Sequence, residues 1–140
     1  MLDLNSPKDA HVAERLRTEL IMWLSSTRPD GRPHLVPVWF LWDGQSILIF
    51  SKPNNQKIRN LRQNSNVMVS LEAANEGEDI VLIEGQATLL EESTSEVMPP
   101  EYVEKYSAQI AAFQWTPEGM AAEYSQAIRI QPTRFIAWGE

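Results

Sequence analysis

Leu35-Val-Pro-Val-Trp-Phe-Leu-Trp42, followed by Asp43-Gly44 and then Ile47-Leu-Ile-Phe50, reads as two strands joined by a hairpin turn. The first of these strands does not alternate. In extended geometry Val36, Val38, Phe40 and Trp42 point one way, while Leu35, Pro37, Trp39 and Leu41 point the other. An antiparallel barrel with a free outer surface would be polar on one of these faces. Both are apolar, so the outer face needs a cover: a helix, a ligand or a second subunit. At ~25 cal/mol per Å², two or three large side chains left wet would forgo several kcal/mol. Pro33 and Pro37 lack ladder donors, which suits a strand at an edge or an opening. The expectation is a homodimer with this strand at or beside the interface. A helix of the same chain is the alternative cover.

Outward from that hairpin the chain continues in the same manner. Ser6-Pro7 opens a helix with Val12, Leu16 and Leu20 on one stripe. Residues 21–27 form the first strand, Arg28-Pro29-Asp30-Gly31 a turn, 32–42 the second strand and 46–51 the third. Asn54 and Asn55 can cap a short helix over 56–63, with Ile58 and Leu61 inward. Strands over 67–72 and 79–90 follow, with Gly85 marking a bulge. Pro100 starts a helix whose stripe is Val103, Tyr106, Ile110 and Phe113, and Thr116-Pro117 starts a brief one to about Tyr124. The chain closes with strands over 125–130 and 134–138, interrupted by Pro132. Successive hairpins with few helices predict a mainly β protein, an antiparallel barrel in a single domain spanning 1–140.

The basic residues are unevenly placed. Lys52, Lys57, Arg59 and Arg62 put four of twelve cationic side chains into eleven residues, on a chain of net charge -7. Such a spot is suited to one small anion, most naturally a phosphate, held by charge-assisted hydrogen bonds. From Gln63 to Glu104 there are ten acids and no Lys or Arg, which argues against wide nucleic-acid binding. The absence of cysteine removes thiolate ligands and nucleophiles, and two histidines make a zinc site a poor candidate. No stretch is long and apolar enough to span a bilayer, and the N-terminus lacks a signal-peptide pattern. The expected location is the cytoplasm.

As an ensemble, Trp23-Leu-Ser-Ser-Thr27, Asp30 to Phe40, Ile47-Leu-Ile-Phe-Ser-Lys-Pro53, Lys57-Ile-Arg-Asn-Leu-Arg62, Glu84-Gly85, Tyr102 to Tyr106 and Tyr124 to Arg134 carry a resemblance. Over about 19–138 the chain resembles the pyridoxamine 5'-phosphate oxidase-like split-barrel proteins, and within them the F420-dependent reductases. That resemblance implies a six-stranded split barrel, usually dimeric, with a flavin or deazaflavin in a groove between subunits. Carried onto this sequence, it places the backbone of Pro37, Val38 and Trp39 beside the ring. It assigns the phosphate to Ser51, Lys52 and Lys57, with Arg59 or Arg62 nearby. The loop of Trp115 and the C-terminal strand with Trp138 would close the groove or come from the partner subunit. One position departs from the pattern: Asn55 stands where related deazaflavin binders carry a basic residue two before the helix lysine. This favours FMN, with F420 as the alternative. The ending Trp138-Gly-Glu140 does not match the substrate motif of pyridoxamine phosphate oxidation itself.

The residues support the same chemistry independently. Lys57 lies near a helix start, where the macrodipole disfavours a cation by roughly 0.3–1 kcal/mol unless an anion docks there too. The aromatic second strand offers a flat wall for a ring. Hydride transfer on a flavin needs no protein nucleophile, and none stands out: Glu91-Glu92 read as surface, His11 as exposed and His34 as a polar residue near a turn. Arg32 and Arg134 are expected to pair with neighbouring acids. No side chain is singled out as catalytic. The expected function is oxidoreduction of a small organic substrate. A flavin- or haem-binding carrier or sensor is the first rival, and a nucleic-acid-binding barrel the second.

Overall fold

The computed structural model describes residues 2–138, so Gly139 and Glu140 of the C-terminal ending lie outside it. Ser6 caps α1 (Pro7–Thr18) through its side chain, which accepts from Asp9 N, with Pro7 at the first helical position. β1 (Met22–Thr27) and β2 (Pro33–Val38) form the first hairpin, and Gly31 takes φ 91° in the intervening turn. β3 (Leu41–Trp42) and β4 (Ile47–Ser51) form the second. There Asp43 Oδ1 accepts from the backbone N–H groups of Gln45 and Ser46, and Gly44 takes φ 95°. After α2 (Gln56–Gln63), β5 (Asn66–Leu71) leads to the long β6 (Ile80–Ser93). Four short helices follow: α3 (Thr94–Val97), α4 (Pro100–Lys105), α5 (Ser107–Ala112) and α6 (Pro117–Glu123). β7 (Gln126–Trp138) ends the described chain.

All seven strands belong to one antiparallel sheet in the order β2-β1-β5-β6-β7-β4-β3. The predicted second strand, 32–42, is thus two strands on opposite edges of that sheet. Only Trp39 and Phe40 separate them, and three Cα steps span at most about 11 Å. The sheet must therefore curl until its edges meet. This is a split barrel, with seven segments where six were expected. The break was hidden because apolar side chains continue through it without a change of pattern.

Two helix readings also change. α1 ends at Thr18, so Leu20 lies beyond its stripe and is 38% exposed. The helix expected from Pro100 breaks at Tyr106, and its buried stripe is Tyr102, Tyr106 and Ile110, with Phe113 left 59% exposed. α3 was not expected, although Ser93 followed three residues later by Glu96 is a capping-box signal, and that box starts it. Pro132 does not interrupt the last strand. It sits opposite Gly85 at a register shift, where the bulge absorbs the missing donor.

The interior divides into two clusters. The barrel is filled by aliphatic side chains such as Leu24, Ile49, Ile83 and Ile130, with Val12 and Leu16 of α1 closing over it. Outside the barrel, α4, α5 and α6 lie against the outer face of β4 and β7 through Leu48, Phe50, Tyr102, Tyr106, Met120 and Ala127. β4 is buried at every position because one face serves each cluster. These helices also cover Trp39 and Leu41, so the same-chain alternative holds for that half of the apolar strand. Leu35, 59% exposed, and Pro37 remain uncovered on edge strand β2.

Candidate functional site

A cavity of about 310 Å³ opens between the barrel and the helical layer. Ile21, Pro37, Val38 and Trp39 form its barrel side, with Phe50 from β4 and Lys57 from the first turn of α2. Tyr102, Met120 and Tyr124 line it from the helices, and Phe113 and Trp115 from the loop between α5 and α6. Trp39 is held flat against Tyr106, with ring centroids 4.4 Å apart and planes 3° from parallel. Trp115 faces Trp39 at 6.1 Å and stacks on Phe113 at 5.0 Å. Burial pushes the Tyr102 phenol well above its ordinary range, so this hydroxyl stays protonated.

Lys57 is the one cation among the described lining residues. Its amine is half buried, and burial alone holds its pKa below the ordinary lysine value. The α2 register explains this placement: Ile58 and Leu61 are buried in the barrel core, and Asn60 donates to Ser26 Oγ on β1 at 3.0 Å. Lys57 is thereby turned along the cavity wall rather than outward with Arg59 and Arg62. His34 lies opposite Ser26 in the β1–β2 ladder, and Arg28 follows the same strand. Burial, then the positive charges of Arg28 and Lys57, lower the pKa of His34. Among the described residues the buried atoms Arg28 Nε and His34 Nδ1 have no hydrogen-bond partner. Arg28 and Lys57 thus both lie near enough to His34 for their charges to act on it. The turn-proximal reading of His34 and the turn reading of Arg28 missed this. Their convergence depends on strand register and on the docking of α2, which spacing along the chain does not reveal.

The structure gathers Pro37, Val38, Trp39, Lys57 and Trp115 around the cavity and leaves the other expected residues outside it. Ser51 is buried, and its hydroxyl lies 2.9 Å from Lys52 O and 3.1 Å from Asn55 Oδ1, which commits its proton to the turn. Lys52 is exposed, 3.4 Å from Glu123 and over the Tyr124 ring at 5.7 Å. Arg59 donates to Asn54 O and Gln56 Oε1, and Arg62 to Pro53 O, so both brace the loop before α2. Trp138 pairs with Ile80 at the far end of β7 and is 49% exposed. Arg32 pairs with Asp30 at 2.8 Å, as expected of a surface residue. Tyr102 was legible after all: it precedes Tyr106 by four residues on the same helical stripe.

The barrel with its split edge and flanking helices has known relatives. The chain matches the family described as pyridoxamine 5'-phosphate oxidase over residues 9–139. It belongs to that family. Among solved structures it is similar to a conserved hypothetical protein from Mycobacterium tuberculosis, at 25% identity and TM-score 0.78, covering 96% of this chain and 86% of that one. It is also similar to an F420 reductase, at 22% identity and TM-score 0.69, covering 88% and 94%. A third similar structure is the haem storage protein of Vibrio cholerae, at 15% identity and TM-score 0.67, covering 93% and 95%. No curated protein matches. Among the described residues no helix is long and apolar enough to cross a membrane, and no group of three potential metal ligands is found.

Proposed function

We propose that this family member is a flavin-dependent oxidoreductase, a cytoplasmic homodimer that binds FMN, or alternatively F420, and passes hydride or electrons to a small organic acceptor. One observation carries the reading. An aromatic cavity has at its wall a half-buried lysine that pairs with no acid among the described residues, and its charge together with that of Arg28 acts on nearby His34. At about 310 Å³ the cavity is near the lower bound of ligand pockets, roughly 300–1,000 Å³. That suits a planar ring and leaves a phosphate-bearing tail to run toward Arg28, His34 and Lys57. The charges fit an anion: Lys57 lines the cavity, and both it and Arg28 lie near enough to His34 for their charges to act on it, so a phosphate tail running that way would be offset by them. When bound, the flavin supplies the hydride chemistry. Pro37, Val38 and Trp39 would orient its ring, the aromatic helical wall would exclude water, and Lys57 would offset the charge of the tail. Exposed Leu35 and Pro37 beside this site provide the apolar face on which a second copy would complete the groove.

The test is to denature the purified protein and identify the released small molecule by absorption and mass spectra. Reduction by NAD(P)H or reduced F420 and reoxidation by candidate acceptors should follow. Similarity to a haem storage protein supports a second reading, a carrier that binds without turnover. A released haem, or a bound flavin that no donor reduces, would favour that rival.

A further inference from the structure

Between Val38 and Leu41 the chain leaves one edge of the sheet for the other, and Trp39 and Phe40 take part in neither ladder. Their backbone groups need partners from elsewhere. The dipeptide Lys105-Tyr106, at the junction of α4 and α5, supplies them for Phe40. Lys105 Nζ donates to Phe40 O at 2.8 Å and stands 3.7 Å from the centroid of the Phe40 ring. Tyr106 Oη accepts from Phe40 N at 2.9 Å and donates to Leu20 O at 2.6 Å. The Tyr106 ring is the surface against which Trp39 lies flat. Neither residue lines the cavity: Lys105 touches the strand break, and Tyr106 lies against both Trp39 and Tyr102 of the cavity wall.

Folding alone does not account for the lysine. It is half buried, no carboxylate lies within ion-pair distance among the described residues, and the charge of Glu19 acts on it only from further away. Burying an ammonium in this way costs stability that an apolar chain of similar length would not.

We propose that Lys105 and Tyr106 are positioning residues that fix the Trp39–Phe40 break and so set the angle at which Trp39 walls the cavity. The consequence for binding rests on the reading that this cavity receives the cofactor ring. The helical layer then does more than cover the barrel. It tunes the shape of a site whose wall belongs to the β-sheet.

The test uses the full chain with ¹⁵N-labelled indoles, Trp39 being assigned from Trp39→Phe. In Lys105→Met and Tyr106→Phe the Trp39 indole signal should move or broaden, while those of Trp23 and Trp42 stay. Lys105→Met should melt at or above the wild-type temperature, yet bind FMN about tenfold more weakly, the worth of one charge-assisted hydrogen bond. Lys105→Arg should recover most of that loss. A Trp39 signal unmoved in both variants overturns the proposal, as does a lowered melting temperature with unchanged FMN affinity. If the wild type binds neither FMN nor F420 but the Trp39 signal still moves, the positioning role stands and the cofactor reading falls.

Discussion

The two apolar clusters of this protein are built from different materials and reach different degrees of completion. The barrel interior is mainly aliphatic and closed, with Leu24, Ile49, Ile83 and Ile130 at 1% exposure or less and Phe40 its one fully buried ring among the described residues. The cluster beneath α4, α5 and α6 is aromatic, and it stops short of closure, leaving about 310 Å³ open beside Lys57. Branched aliphatic chains interdigitate to native density. The rings around Trp39, stacked on Tyr106 at 4.4 Å and tilted against Phe113 and Trp115 at 6.5 and 6.1 Å, present flat walls instead. One cluster closes the barrel, and the other leaves a cavity that the proposed function fills with a planar ring.

That division can be broken by experiment. The largest effect is expected from Ile49→Ala in the closed barrel, which should lower unfolding free energy by about 2–5 kcal/mol in urea titrations. Lys57→Ala should weaken FMN by about 1.5–3 kcal/mol in a binding titration while leaving the urea midpoint unchanged or slightly raised. Comparable destabilisation by both variants would show that the aromatic cluster is ordinary core. Gly85→Ala should cost about 1–3 kcal/mol by overpacking, because a Cβ there would lie 2.7 Å from Ile130 Cγ2 and 2.9 Å from Gln131 O. A neutral result would mean the bulge can shift without disturbing the barrel.

The smallest effect is on pH dependence. Burial lowers the Lys105 pKa to about 8 from its ordinary 10.5, with Glu19 opposing the shift. Between those values the unfolded chain binds more protons than the folded one, so stability should rise with pH across this window. As pH falls through about 8 that contribution is lost. With the partial exposure of Lys105 discounted, the gain is on the order of 1 kcal/mol. Lys57 acts with the same sign. Lys105→Met should flatten the profile measured by chemical denaturation between pH 7.5 and 10; an unaltered slope would place the titration elsewhere.

The features that local chemistry dictates were readable in the chain. Ser6-Pro7 and Thr116-Pro117 start helices, Asp43-Gly44 closes a hairpin, and Gly85 marks the bulge. Each of these depends on residues within a few positions of one another. The site was legible only where its residues cluster in sequence: Trp39 and its neighbours, Lys57 and Trp115. Arg28 and His34 were not, since they come near Lys57 only through ladder pairing and the seating of α2 on Ser26. Arg59 and Arg62 looked equivalent to Lys57 in the same basic run, and Ser51 stood beside it, yet their hydrogen bonds brace the turn.

By itself, then, the amino-acid order determined a β-rich antiparallel protein, its turns and caps, a basic turn set beside an aromatic strand, and the family resemblance that implied a split barrel. Tertiary structure alone decided that the aromatic strand breaks at Trp39 and Phe40, that α4 and α5 hold the break, and which cation turns inward. Caps, turns and bulges are short-range and leave a local signature. Barrel closure and charge convergence arise from contacts between distant segments, and a run that is apolar on both faces carries no mark of where it must bend.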